Sequence, residues 1–396
     1  MKFAFKKPTN NKYFNEELLR LQLYSAEQMD QHAKVLAKTH ILSKKQLPDV
    51  LLPRLADNEK KLLEVREQLT KTIKSSFEIT PAGEWLLDNF YQIEEQIRLA
   101  KKHLPKGYIN GLPYLEEETF SGIPRVYDIA MEIIQHSDGK LDMDIVNTFL
   151  KSYQTVSELK IGELWAIPIM LRIALIENLR RVSGHISADR EYRDLADFWA
   201  KQMIATVQQE PGKLILVIAD MARSNPPLKR AFVAELIRQL RGRGPTLLQA
   251  LNWVEDRLNE NGNTSIEMVQ SENQQQASDQ LSISNSINSL RALKNTDWRN
   301  FVEDNSAVEA VLRKDILYPR LDFSTRDQYR HVVERLAKRS NYSETDIAKL
   351  VLQLSIGNMP AANSNRQNHV GYYLIDKGLP QIEKLAKVHV ALIERL

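Results

Sequence analysis

Cysteine is absent from this 396-residue chain, and glycine (14) and proline (15) are scarce. The first absence excludes disulfides and thiolate metal sites and suits a reducing compartment. The second disfavours a many-stranded fold, which spends glycine and proline on its turns. A continuous apolar run of membrane length, about 20 residues, is also missing. The longest stretch, Leu164 to Ile176, is interrupted by Arg172, so the chain reads as soluble. Lys2, Lys6 and Lys7 make the start basic, but no apolar segment of signal-peptide length follows them. One-sided charge is lacking too: the net charge is +3, no global footprint for nucleic acid. No phosphate-binding or dinucleotide glycine pattern occurs, and the eight histidines show no metal-ligand spacing.

Present instead are the strong helix formers Leu, Ala, Glu, Gln, Lys and Arg, with 43% hydrophobic and 27% charged residues. The expected class is all-α, an irregular multi-helix array of packed helical hairpins with few or no strands. Three regions are expected: amphipathic helices over 1–75, a central helical domain over 76–260, and helical hairpins over 261–396. Leu18 and Leu21 share a helical face, and Leu55, Leu62, Val65 and Leu69 recur among Lys and Glu. Thr80 is placed to cap a helix with Pro81 in its first position, and Leu86, Phe90, Ile93 and Ile97 continue its inward stripe.

The segment 161–181 is apolar nearly all round, which predicts a buried central helix ending at Arg180 and Arg181, with Pro168 kinking it or lying in its first turns. The run Leu214–Ala219 fits a strand or a buried helix; for want of a partner strand, helix is favoured. Pro226 should extend Asn225. Gly242 to Pro245 divide two amphipathic helices. The polar stretch Asn273–Asn288 fits a linker, but Ile283, Ile287 and Leu290 favour a helix with a large polar face. Further on, Asp297 opens a helix, Ser324 or Thr325 caps another, and Ser343 with Asp346 forms a capping box. The final residues, Val388 to Leu396, keep a helix-like pattern without a stop signal, as if cut.

Chemistry is sparse in this pattern. Asp142 and Asp144 form the one Asp-x-Asp pair, but they stand between a loop and an apolar helix, where capping suits them better than a metal. His331, in a polar helix start, suits a surface position. Val332–Leu354 has the outline of a helix-turn-helix but few base-reading side chains, so an ordinary helical hairpin is expected.

Eight blocks nevertheless stand in a familiar order: Thr80–Phe90 (TPAGEWLLDNF), Ile93–Arg98 (IEEQIR), Gly162–Arg172 (GELWAIPIMLR), Ile176–Arg181 (IENLRR), Ala219–Pro227 (ADMARSNPP), Glu272–Ala277 (ENQQQA), Asp322–Asp327 (DFSTRD) and His369–Asp376 (HVGYYLID). Together they resemble the N-terminal region of cyclic β-1,2-glucan synthases, large inner-membrane enzymes that polymerise glucose from UDP-glucose. The resemblance implies a cytoplasmic helical scaffold, at the inner face of the membrane, that supports domain packing or orients the glucan. UDP-glucose and a divalent metal ion would belong to the rest of such an enzyme, with no catalytic residue or cofactor in this segment. The implied partners are the downstream transferase and membrane domains and β-1,2-glucan, with no nucleic acid. Candidate interdomain or glucan-facing residues are Arg223, Asn225, Gln276, Asn285, Arg326, Asp327 and His331. Two alternatives stand beside this: a carbohydrate-active enzyme using Asp142, Asp144 or Glu177, and a helical nucleic-acid-binding protein.

Overall fold

The structure, a computed structural model, describes residues 22–43, 50–74, 78–104, 111–116, 122–357 and 366–388. The N-terminal lysines, the Leu18 and Leu21 pair and residues 389–396 at the chain end lie outside them. Among the described residues the elements are α-helices and short 3-10 turns without a strand; two isolated antiparallel bridges join Leu42 to Leu115 and Tyr114 to Pro124. The all-α expectation holds.

Six helices come first: α1 (Ala26–Thr39), α2 (Leu51–Lys74), α3 (Pro81–Asp88), α4 (Phe90–His103), α5 (Arg125–His136) and α6 (Met143–Gln154). The 49-residue α7 (Ile161–Gln209) follows, then α8 (Leu214–Ser224), α9 (Arg230–Leu240), α10 (Leu248–Glu260) and the 31-residue α11 (Ser265–Asn295). The last are α12 (Trp298–Asn305), α13 (Ala307–Leu312), α14 (Phe323–Lys338), α15 (Glu344–Gly357), α16 (Val370–Ile375) and α17 (Leu379–Leu385).

At 1.5 Å per residue, α7 is about 73 Å long, and it passes through three apolar cores. Its first half, from Leu164 to Ile186, is buried with α1–α6, the second half of α11 and α12. Ile161, at its start, belongs to a second core built by α13–α17. Ala196, Ala200 and Met203, near its end, pack with α8–α10. The first half is apolar all round because helices cover it on every side, α2, α4, α5 and α11 among them.

The structure alters several local expectations. The buried helix does not stop at Arg181; Arg180 turns back to pair with Glu177 instead of meeting a helix end, and the chain stays helical for 28 more residues, to Gln209. Pro168 lies inside α7, beyond its first turn, and removes the donor that the Leu164 carbonyl would otherwise use. Leu214–Ala219 lies in α8, as favoured. Asn225 is left-handed (φ 46°, ψ 58°) rather than extended, because it caps α8, and asparagine tolerates that conformation. Asp322, not Ser324 or Thr325, caps α14, its carboxylate accepting from the Thr325 N–H at 3.0 Å. The caps at Thr80, Asp297 and Ser343 stand as expected.

Candidate functional site

A concavity of 1080 Å³ opens between the second half of α7, α9 and the start of α11, with residues 78–81 at one end. Apolar side chains (Leu69, Ile79, Ile186, Val269) share its walls with Arg190, Arg193, Asp194, Asp197, Arg238, Asn273 and Gln276. Helix geometry makes this mixture: polar residues on the facing stripes of α7, α9 and α11 meet where the third core gives way to solvent. Glu272 is the anchor. It is 1% exposed, takes a 2.6 Å hydrogen bond from Arg193 and a 2.8 Å bond from Gln276 on Oε1, and faces Arg230 at 3.8 Å from Oε2. Oε2 accepts no hydrogen bond among the described residues, so the buried carboxylate keeps acceptor capacity. Burial pushes the nearby Asp189 carboxyl up, and the charge of Glu272 adds to that rise. The cleft thus offers cations, carboxylates and amides close together, an arrangement that can bond hydroxyl groups.

The seven candidate residues do not gather in one place. Gln276 lines this cleft. Arg223 is exposed and paired with Asp220 at 2.5 Å, and exposed Asn225 serves as a helix cap. Asn285 donates to the Asp138 carbonyl at 3.2 Å. Arg326 and Asp327 lie elsewhere, at the start of α14. Arg326 donates to both oxygens of Glu303 (3.0 and 2.8 Å), and Asp327 accepts from Arg330 at 3.0 Å. His331 is 56% exposed beside Asp327 and Glu334.

The charges of several motif blocks turn inward. Glu177 is fully buried and receives Arg54 (2.9 and 2.5 Å), Arg180 (3.0 Å) and Asn58 (2.6 Å). Burial pushes its carboxyl up, but these partners outweigh burial and hold it below its ordinary value. Glu163 binds buried Arg125 through both oxygens, at 2.8 and 2.5 Å. Glu303 and Glu309 share Arg330, which is fully buried, at 2.9 and 2.6 Å. Of the remaining acids, Asp142 caps α6 through the N–H of Asp144, and Asp144 lies in the first turn.

Against known proteins, no family model matches. The chain is 32% identical over 336 residues, 84% of its length, to the cyclic beta-(1,2)-glucan synthase NdvB of Rhizobium meliloti (strain 1021). This chain is homologous to part of a cyclic beta-(1,2)-glucan synthase. It spans only 12% of the length of that relative. The ion pairs Arg125–Glu163, Arg54–Glu177 and Arg326–Glu303 each join two different helices. No helix among the described residues is long and apolar enough to cross a membrane.

One cluster escaped the sequence. Glu132 and His136 are four apart on α5, and α1 brings His32 to them; these residues can hold a metal. The spacing Glu-x-x-x-His was visible, whereas the third member lies 100 residues away.

Proposed function

We propose that this chain is a non-catalytic helical scaffold of a membrane cyclic β-1,2-glucan synthase, and that its charged cleft orients the growing glucan for the transferase region. The supporting observation is what the acidic side chains do. Asp142 caps a helix, Glu177 is locked among Arg54, Arg180 and Asn58, and Glu163, Glu303 and Glu309 are bound to buried arginines. A general acid or a nucleophile needs a reachable oxygen; those of Glu163, Glu177, Glu303 and Glu309 are committed to the interior, and the exposed Asp142 is engaged as a helix cap. The cleft around Glu272 and Gln276, by contrast, presents polar groups to solvent and suits a hydroxyl-rich chain. Ile215 and Leu216, 60% and 57% exposed on α8, suit packing against another domain. UDP-glucose, its divalent cation and the catalytic groups belong, on this proposal, to the transferase region, and the scaffold lies on the cytoplasmic face of the inner membrane.

Two assays test the two halves. The chain incubated with UDP-glucose and Mg²⁺ should release no UDP; release would sink the scaffold assignment. Titration with a linear β-1,2-glucooligosaccharide, followed by NMR, should shift resonances around Asn273 and Gln276, and Asn273→Trp should abolish those shifts. Shifts scattered over the surface, or none, would remove the glucan-orienting role.

A further inference from the structure

Away from the cleft, α5 sets Glu132 and His136 on one face, four residues apart, and α1 lays His32 against them. Nε2 of His32 lies 2.7 Å from Glu132 Oε2, and Nε2 of His136 lies 3.3 Å from the same oxygen. All three ligand atoms fall within 4.8 Å of one another. The side chains of Glu132 and His136 are 1% and 5% exposed, and that of His32 is 21% exposed.

The second nitrogen of His136 decides what the first presents. Nδ1 lies 2.7 Å from the Gln22 carbonyl oxygen. A carbonyl only accepts, so Nδ1 carries the proton and donates it. In the neutral ring Nε2 then turns a lone pair toward the Glu132 carboxylate. Two acceptors facing each other in a buried site are unfavourable, and a cation between them removes the conflict. Tyr24 stacks on the His136 ring (centroids 3.8 Å apart, planes 8° apart) and holds its orientation. Fixing an imidazole through a carbonyl on its other nitrogen is how metal-ligating histidines are positioned.

We propose that His32, Glu132 and His136 form a binding site for a zinc-class divalent cation, which fastens α1 to α5. Zinc bonds of about 2.0–2.1 Å in tetrahedral geometry place neighbouring ligand atoms about 3.3 Å apart. The His136–Glu132 pair already has that separation. The His32–Glu132 pair, at 2.7 Å, needs only a small outward swing of His32, the most exposed of the three. A surface recess of 820 Å³, lined by Tyr24, Gln28, Asp30, His32 and Thr148 among others, leads to that side chain. It supplies an entry path and room for water as the fourth ligand. Two imidazoles with one carboxylate suit a borderline metal over Mg²⁺ or Ca²⁺, which take oxygen ligands.

Calorimetric titration of the EDTA-treated, dialysed chain with ZnCl₂ tests the site. One Zn²⁺ should bind per chain, and the thermal midpoint should rise with Zn²⁺ but not with Mg²⁺. Co²⁺ in its place should show the intense visible absorption of a tetrahedral site. His32→Ala, at the partly exposed position, should keep its far-ultraviolet circular dichroism. It should lose more affinity than the roughly 10–100-fold that removal of an outer-shell partner costs, while His331→Ala binds as the parent does. Absence of stoichiometric Zn²⁺ binding, or binding that survives both His32→Ala and Glu132→Gln, overturns the proposal. So does a midpoint that responds to pH but not to Zn²⁺, the mark of an imidazolium–carboxylate triad.

Discussion

At the start of α7 the Ile161 N–H donates to Glu344 Oε2 at 2.8 Å, a carboxyl brought by α15 to a helix end with no capping side chain from Lys160. Burial pushes Glu344 up to about 7 from an ordinary 4.5, despite that hydrogen bond, and the Glu334 charge adds to the rise. The folded chain therefore keeps a proton between these values that the unfolded chain has lost. The stability this contributes is complete below pH 4.5 and is lost as pH rises through 7. Glu344→Gln should remove that step and leave the protein more stable at pH 8 by up to ~3 kcal/mol. Urea midpoints at pH 5 and pH 8 check this; equal slopes in parent and variant would refute it. Glu177 shows the opposite balance, since its cationic partners outweigh burial. Glu177→Ala should remove the buried carboxylate that Arg54, Arg180 and Asn58 share and cost about 3–5 kcal/mol in urea unfolding.

At the scale of elements, α11 shows why polarity along a sequence is a poor guide to exposure. Its serines and asparagines read as a large polar face, yet Ser282, Ser286 and Ser289 are buried. Asn178 of α7 donates to Ser282 and Ser286 at 3.2 and 3.0 Å, and Ser289 donates to the Gly139 carbonyl at 2.8 Å. Short hydroxyls let the α5–α6 turn approach α11 closely. Gly139 at φ +72° completes the approach, because a Cβ there would run into the Ser286 hydroxyl. Gly139→Ala should combine left-handed strain with that clash and destabilise by on the order of 2 kcal/mol. Adding Ser286→Gly should recover part of the loss, and thermal melts of both variants measure it. If the single change is neutral, the seam is looser than this geometry implies.

Over the whole molecule, α7 couples three cores, since each holds some of its residues. Phe232 is fully buried in the core near the end of α7. Phe232→Ala should cost about 3–5 kcal/mol and move the entire helical melting transition, because α7 cannot lose one end without disturbing the helices packed along the rest. A biphasic melt, with an early phase carrying only the α8–α10 signal, would show that this core unfolds alone.

Periodicity, caps and the scarcity of glycine and proline were enough for the helical class, for the Thr80, Asp297 and Ser343 helix starts, and for the buried stripe of α7. Those features depend on neighbours within a turn or two, where local sterics and hydrogen bonding act. The ordered motif blocks likewise carried the resemblance to glucan synthases without any coordinates. Three things depended on tertiary contacts: the run of α7 beyond Arg181, the burial of α11's serines, and the partners of Glu177 and Arg330. Charges and hydroxyls look alike in a sequence whether water or another helix faces them. The cleft around Glu272 needs α7, α9 and α11 side by side, and the His32–Glu132–His136 cluster needs α1 folded onto α5. Both sites join residues dozens of positions apart or more, a proximity that packing creates and local pattern does not encode.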